Sequence, residues 1–365
     1  MQAFESNQNY RALAEQINAG GWYRPAAGRI LSELLLHIAL FAGGIAALLC
    51  FDNYFLKAVA GFLSGVGALG IATNTHTSSH FATTRSSRLN KFLTYFGYTF
   101  LFGTSANYWW HKHCVVHHPS PNVIGVDVDA DLMPWFAVSE RDIETSRGLR
   151  HLFFRYQWLL IPFAIGLNVF NTQRQGWAFL LPILLDPKRR HMNHWLDLGV
   201  LFCHWTCWLV IPSLFLGVTH VLSIYLTLLV LLGYGMFIAF APAHFPAEAA
   251  FVDATRASND FLYRQTLTTV NFRTGWFGRL VCSGVDFQIE HHLFPGIPHV
   301  HYPKLSPIVE EFCRQHGYPY LTLGWAEGIW KSLLIFKRPK PVEGQILAGK
   351  EPAVTVEAAV NTGLI

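Results

Sequence analysis

The segment that organises this chain reads Asp286-Phe287-Gln288-Ile289-Glu290-His291-His292-Leu293-Phe294-Pro295. On a helix, Gln288 lies on the same side as His291 and His292, which follow it by three and four residues. One amide and two imidazoles can therefore reach a common point. Adjacent imidazoles are unusual as core residues, because each ring carries polar nitrogens that need partners when buried. The alternative is a pair of surface histidines in a loop, and the other histidines of the chain decide between the two.

The composition predicts an integral membrane protein with a substantial aqueous part. Of 365 residues, 52% are hydrophobic and 14% are charged, whereas about 25% are charged in an average soluble domain. The formal net charge is only +4, and no basic run with interleaved aromatic residues is found. Both features argue against nucleic acid as a partner.

Four apolar segments have roughly the 20 residues that a membrane-spanning helix needs. They cover about 30–51, 54–73, 196–216 and 221–240. Short turns connect the first to the second and the third to the fourth, so we expect two hairpins. These limits predict an N-terminal arm over 1–29, a membrane domain over 30–340 and a flexible tail over 341–365.

The distribution of charge predicts the orientation. The turns at 52–53 and 217–220 contain no Lys or Arg, whereas the region 74–194 and both tails carry nearly all of them. By the positive-inside rule, those basic parts face the cytoplasm. The sequence therefore predicts an all-α membrane protein with both termini inside and a cytoplasmic helical cap.

Eight histidines are predicted to lie on that same side, near the ends of the spans. They are His76, His80, His113, His117, His118, His244, His291 and His292. Neutral imidazole is a good ligand for iron, zinc, copper and nickel. Eight imidazoles exceed the four ligands of one tetrahedral zinc and are about right for two metal ions. Two irons, unlike zinc, have the redox chemistry that activates O₂, which indicates attack on an unactivated C–H bond of a lipid-like chain.

The histidine motifs resemble those of the membrane fatty acyl desaturases, nearest to the front-end and linoleoyl-CoA type. The three motifs are His76-x3-His80, His113-x3-His117-His118 and Gln288-x2-His291-His292. Similar segments surround them at 121–129, 268–272 and 299–303, so the resemblance covers roughly 70–325. It implies a four-span fold with a di-iron centre under the cap and the eight histidines as its ligands.

Several positions around these motifs leave alternatives open. Gln288 stands where other desaturases have a histidine, and it binds metal weakly, through water, or not at all. Thr77 stands where an Asp often follows the first histidine, so support for an imidazole has to come from elsewhere, with Asp127 and Asp129 as candidates. Asn271 either bonds a ligand-bound water or caps a helix.

The remaining departures concern the substrate and the source of electrons. Asp286 stands where this group often has Asn. The haem-binding HPGG signature of fused cytochrome domains is not found, so the resemblance implies an external donor such as a ferredoxin or a cytochrome. The implied substrate is a fatty acyl chain on CoA, on acyl carrier protein or in a lipid.

The predicted reaction is O₂-dependent acyl desaturation. A related outcome at the same iron site is hydroxylation, acetylenic bond formation or oxidative decarboxylation, because rebound and second hydrogen abstraction compete over very small distances. A different class of function is a non-catalytic metal binder or a metal transporter. Transport requires polar groups that continue through the spans, and the histidine clusters are predicted on one face only.

Overall fold

Four helices of the computed structural model, which describes residues 2–255 and 258–343, are long and apolar enough to cross a membrane. They are α2 (Ala27–Cys50), α3 (Tyr54–Ser79), α10 with α11 (Met192–Leu216) and α12 (Val218–His244). Each begins or ends beyond the predicted apolar limits. The extension matters most in α3 and α12, because it places His76 and His244 within the helices themselves. The predicted all-α membrane fold is confirmed.

Local signals set the starts of α3 and α12. The side chain of Asn53 accepts hydrogen bonds from the backbone N–H groups of Phe55 and Leu56 and so caps α3. Gly217 has a φ of +80°, a conformation that favours glycine, and it separates α11 from α12. Both turns lie at the ends of α3 and α12 that are remote from the histidines.

Helices α2 and α3 pack with their backbones in close contact. A Cβ atom built on Gly67 would lie 2.4 Å from the backbone nitrogen of Phe41, and one on Gly44 would lie 2.2 Å from Ser64 Oγ. Small residues permit such close approach where lipid provides no hydrophobic drive for association. The same small residues therefore fix how the histidine-bearing end of α3 sits against α2.

The other helices form most of the part outside the four spans. In chain order they are α1 (Gln2–Ala19), α4 (Ser87–Thr94), α5 (Ala106–Trp109), α6 (Glu140–Thr145), α7 (Gly148–Tyr156), α8 (Ile161–Gly166), α9 (Asn168–Leu185), α13 (Phe261–Thr268), α14 (Gly275–Cys282), α15 (Gln288–Leu293), α16 (Tyr302–His316) and α17 (Trp325–Leu334). Helix α10 ends at Trp205, and a π-helical turn, Thr206–Val210, connects it to α11 (Ile211–Leu216). Helices α4 and α5 likewise continue as π-helices, Tyr95–Leu101 and Trp110–His117.

Within the described residues, five short strands connect distant segments. Strands β1 (Val123–Ile124), β2 (Phe251–Asp253) and β5 (Val342–Glu343) form a parallel sheet in the order β1-β2-β5. Strands β3 (Asn271–Arg273) and β4 (Thr322–Gly324) form a second parallel pair. The predicted tail 341–365 lies outside the described residues from 344 onward, while its start includes β5.

The N-terminal segment packs on the rest of the chain. Helix α1 lies within the predicted N-terminal arm, and its Leu13 and Ile17 are fully buried. They belong to a cluster with Leu262 and Ile289, which stands in the third histidine motif. The buried face of α1 therefore supports the segment that carries His291 and His292.

Candidate metal centre

The three histidine motifs and His244 converge at one end of the long helices. His76 lies in the last turn of α3 and His80 caps it, while His244 is the last residue of α12. The backbone brings the other five rings to the same place from the π-helix after α5 and from α15. Seven of the eight residues are buried, and His80 is partly buried.

The eight rings fall into two adjacent groups. The first contains His76, His80, His113, His118 and His291, and the second contains His117, His244 and His292. Within each group, one nitrogen per ring lies within 4.8 Å of the others. The two groups touch, since the rings of His118 and His292 stack with centroids 4.5 Å apart.

The three histidines of the second motif are divided between the two groups, and the motif lies on a π-helix. The N–H of His118 donates to the carbonyl of His113, five residues earlier, which is the π-helical pattern. His113 Nε2 consequently lies 3.0 Å from His118 Nε2. His117 instead belongs with His244 and His292. The rings of His113 and His117 nevertheless stack with centroids 5.3 Å apart, so the two groups also meet within this motif.

The spacing of the nitrogens fits metal coordination. In the first group, Nε2 of His76 lies 2.7 Å from that of His113, and Nε2 of His118 lies 3.1 Å from that of His291. Imidazole nitrogens on one metal at roughly 2.1 Å, the bond length found for zinc, lie about 3.0–3.4 Å apart; the His118–His291 distance falls in this range, and the His76–His113 distance is shorter. His80 Nε2 is buried without a hydrogen-bond partner among the described residues. Such a nitrogen is free to bind an ion placed between the rings.

The environment keeps most of these rings neutral, which is the form that binds metals. Burial, followed by repulsion from neighbouring rings, lowers the pKa of His113, His118, His291 and His292 well below the ordinary value. Burial likewise lowers the pKa of His80 to about 3. A neutral imidazole cluster without its own cations can accommodate metal ions at neutral pH.

His117 differs because it faces a carboxylate. Burial alone would lower the pKa of His117, but the charge and hydrogen bond of Asp127 raise it overall. His117 Nδ1 lies 2.9 Å from Asp127 Oδ2, an arrangement that fixes the ring and leaves Nε2 for a metal. Asp127 thus stands where a supporting carboxylate was expected. Asp129 lies farther out, where its carboxylate pairs with Lys112 at 2.6 Å.

Two further rings are held by residues that the sequence did not single out. His291 Nδ1 lies 3.2 Å from the hydroxyl of Tyr302, and His292 Nδ1 lies 3.0 Å from Gln265 Oε1. Gln265 also donates to the carbonyl of His118 at 2.8 Å. A glutamine in α13 carries no distinctive sequence signal, whereas Tyr302 stands within the motif-like segment 299–303.

The remaining sequence candidates have defined positions. The amide nitrogen assigned to Gln288 lies 2.9 Å from His244 Nε2 and 3.2 Å from His292 Nε2. Asn271 accepts from the N–H of Ile289 at 2.9 Å and donates to Glu290 at 2.8 Å. Of its two expected roles, the observed contacts are those of a cap at the start of α15.

A cavity of about 750 Å³ reaches the histidines from one side. His113, His117, His244 and Gln288 are among the residues that line it. Most of its wall is apolar and includes Phe102, Ile161, Ile165, Leu232, Met236, Phe237, Phe240 and Phe336. Its size lies within the range of about 300–1,000 Å³ typical of small-molecule sites. Its size and mostly apolar lining suit an apolar chain.

A polytopic helical membrane protein with a multi-histidine site beside an apolar cavity is the class that this geometry defines. The sequence model described as Fatty acid desaturase matches residues 52–324. The chain belongs to the fatty acid desaturase family and is an oxidoreductase.

Named relatives are similar at modest identity. The Delta(8)-fatty-acid desaturase of Borago officinalis is 25% identical over 332 residues, which cover 88% of this chain and 72% of the relative. The Delta(6)-fatty-acid desaturase fat-3 of Caenorhabditis elegans is 27% identical over 292 residues, covering 75% and 64%. The Delta(5) fatty acid desaturase fat-4 of the same organism is 25% identical over 306 residues, covering 79% and 64%. The predicted family is therefore confirmed, and these similar proteins are Delta(8), Delta(6) and Delta(5) desaturases.

Proposed function

We propose that this chain introduces a double bond into a fatty acyl chain with O₂ as the oxidant and two irons held by the eight histidines. One adjacent CH₂–CH₂ pair becomes CH=CH, and O₂ takes up the two hydrogens with two electrons and two further protons to give two waters. The observation that carries the proposal is the meeting of two imidazole groups with an apolar cavity. Iron, when bound, supplies the redox chemistry that activates O₂.

The protein's own contribution is to position the substrate and exclude water. The cavity wall offers an acyl chain an apolar path, and burying each CH₂ stabilises the bound state by roughly 0.8 kcal/mol. His113 and His117 face this path. Because reaction requires close and oriented approach, the depth of the cavity selects which carbon pair lies beside them.

Gln288 is proposed to complete the group of three histidines. The nitrogen and oxygen of a side-chain amide are assigned from contacts and can be exchanged by a 180° rotation. Rotation would turn Gln288 Oε1, which has no hydrogen-bond partner among the described residues, towards His244 and His292. A carbonyl oxygen there would serve as a weak fourth ligand or hold a water.

We further propose that both termini and the metal centre face the cytoplasm and that the two long helix pairs form hairpins through the membrane. The turns before α3 and α12 lack Lys and Arg, and the histidines lie at the opposite ends of these helices. Electrons then come from an external cytoplasmic donor, a ferredoxin or a cytochrome with its reductase. The acyl carrier is CoA, acyl carrier protein or a lipid.

The test is the lipid profile of cells that express the chain. The expected product is an acyl chain with two hydrogens fewer, and purified protein should contain about two irons per chain. Replacing His291 by Ala should abolish the product and lower the iron content. The matched control is His111→Ala, because His111 stacks on Phe179 with centroids 5.2 Å apart and belongs to neither group.

Other outcomes exclude the proposal in different ways. An oxygen-containing acyl product would identify a hydroxylase at the same site. Variable zinc, or unaltered lipids together with no iron, would contradict the desaturase function. Full product formation by the His291 variant would show that the histidine groups do not hold the reactive metal.

A further inference from the structure

The amino ends of three parallel strands lie directly beside the last residue of α12. Asn122 precedes β1, Ala250 precedes β2, and Lys340 stands two residues before β5. The strands pair in register, with Val123 opposite Val252 and Phe251 opposite Val342. The sheet thus brings three segments that are distant in sequence to the carbonyl end of the helix that carries His244.

Lys340 is a buried amine directed at that helix end, with 6% of its surface exposed. Its Nζ donates to the carbonyls of His244 and Pro246, both at 3.1 Å, and lies against that of Ala249. Three carbonyl oxygens therefore surround this nitrogen. The final carbonyls of a helix have no intrahelical partner and carry partial negative charge. Lys340 therefore fixes the backbone at His244.

The side chain of Asn122 donates a hydrogen bond to the same carbonyl of His244. Its Nδ2 donates to the carbonyl of His244 at 2.8 Å and to that of Thr268 at 3.0 Å. Its backbone N–H donates to Asp127 Oδ2 at 2.9 Å, the oxygen that also contacts His117 Nδ1. One fully buried asparagine thereby links two histidines that are far apart in the chain.

We propose that Asn122 and Lys340 are positioning residues for one metal ion of the pair, the ion held by His117, His244 and His292. The inference rests on the proposed di-iron function. Asn122 and Lys340 set the place of His244 through its backbone, and Asn122 helps Asp127 to orient His117. Both act through the backbone carbonyl of His244, and Asn122 acts also through Asp127.

The effect should be selective because the other group is held by different contacts. His76 is fixed within α3, and His291 is fixed by the Tyr302 hydroxyl. Among the described residues, the side-chain hydrogen bonds of Asn122 and Lys340 go to the carbonyls of residues outside the five-histidine group. Removing the contacts of Asn122 or Lys340 should therefore release the ion held by His117, His244 and His292 before the other ion.

Two substitutions remove the contacts with little other change. Asn122→Gly deletes the amide, keeps the backbone N–H that bonds Asp127, and tolerates the observed φ of +56°. Lys340→Met deletes the amino group at nearly constant length. The control is Lys337→Met, because Lys337 is exposed and lies over the ring of Trp158 at 4.9 Å.

The measurements are iron per chain in purified, iron-loaded protein, elution from a sizing column, and turnover. Wild type and Lys337→Met should hold about two irons. Asn122→Gly and Lys340→Met should each hold about one, elute as wild type does, and turn over about 10–100-fold more slowly, the usual effect of losing a ligand's support.

Two irons and normal turnover in both variants would overturn the inference while leaving the proposed function intact. Loss of both irons together with aggregation in both variants would also overturn it, because the contacts would then hold the fold and not one ion. If only Lys340→Met aggregates, the iron content of Asn122→Gly decides. A wild type without iron would refute the proposed function itself.

Discussion

Replacing Asp197 should detach the second histidine motif from the membrane helix behind it. Asp197 lies in α10, is fully buried, and accepts five hydrogen bonds from four residues. Oδ1 accepts from Thr99 Oγ1 and Ala106 N, both at 3.1 Å. Oδ2 accepts from Ser105 Oγ at 2.5 Å and from the backbone and side-chain nitrogens of Asn107 at 3.1 and 2.9 Å. The carboxylate thus serves as an N-terminal anion for α5, whose continuation carries His113, His117 and His118.

The structure sets the size of the effect. In Asp197→Ala, the hydroxyls of Thr99 and Ser105 can rotate, but the backbone N–H of Asn107 loses its partner inside the protein. Each buried donor left without a partner costs about 1–3 kcal/mol. Ala106 N and Asn107 Nδ2 keep other acceptors, so the expected loss is about 1–3 kcal/mol, a substantial part of the roughly 5–15 kcal/mol that stabilises a typical protein. Asp197→Asn keeps one oxygen, so we expect about half of that loss.

Thermal unfolding in detergent, together with iron content, measures this effect. We expect the midpoint to fall in the order wild type, Asp197→Asn, Asp197→Ala, with iron lost in the same order. The control is Asp52→Asn, because Asp52 is exposed in the turn before α3 and exposed substitutions usually change stability by less than about 0.5 kcal/mol. An Asp197→Asn protein that unfolds and binds iron like the control would refute the reasoning.

Three further predictions concern other parts of the chain. Burial raises the pKa of Asp286 to about 6 from 3.8, so the ionised carboxylate destabilises the folded state above that pKa, and this penalty vanishes as the pH falls towards 4. Asp286→Asn should therefore raise the free energy of unfolding at pH 7.5 by up to about 3 kcal/mol. A gain of equal size at pH 4 would contradict this prediction. Gly70→Ala should sharply lower the midpoint of thermal unfolding, because the new Cβ would lie 2.1 Å from His37 Nδ1. Gly61→Ala is the control and should leave the midpoint unchanged, because its Cβ would have its nearest neighbour at 3.9 Å. Equal midpoints for the two variants would refute the packing argument. Met236→Trp narrows the cavity that Met236 lines and should shift product formation towards shorter acyl chains in a mixed-substrate assay, while an unchanged chain-length profile would place the substrate elsewhere.

The long-range contacts of the centre show where sequence reasoning reached its limit. Thr77, which occupies the position of an expected Asp, lies 2.6 Å from Nδ1 of His299, whose Nε2 lies 3.0 Å from Glu33. The support of this region therefore comes from residues more than 200 positions apart. Since no local pattern relates Thr77, His299 and Glu33, only the folded chain reveals the contact.

Lys340 and Asp197 illustrate the same limit in different ways. Lys340 stands at the edge of a polar tail, and its burial depends on a three-stranded sheet whose strands are too short to be recognised from alternation. Asp197 is visible as a charge in an apolar segment, a feature that marks functional positions in membrane helices. Its partners, however, come from a segment about 90 residues away.

The sequence by itself determined the four apolar helices, the family and the set of eight histidines, because hydrophobic length and the spacing of motifs are local properties that a chain displays before it folds. The division of those histidines into groups of five and three was decided only by the tertiary structure. A π-helical turn pairs His113 with His118 and turns His117 towards His244, and helix widening of this kind depends on packing around the helix rather than on the residues within it. The supports at Asp127, Gln265 and Lys340 follow from the same cause, since a buried polar group takes the partner that the surrounding fold places within hydrogen-bond distance.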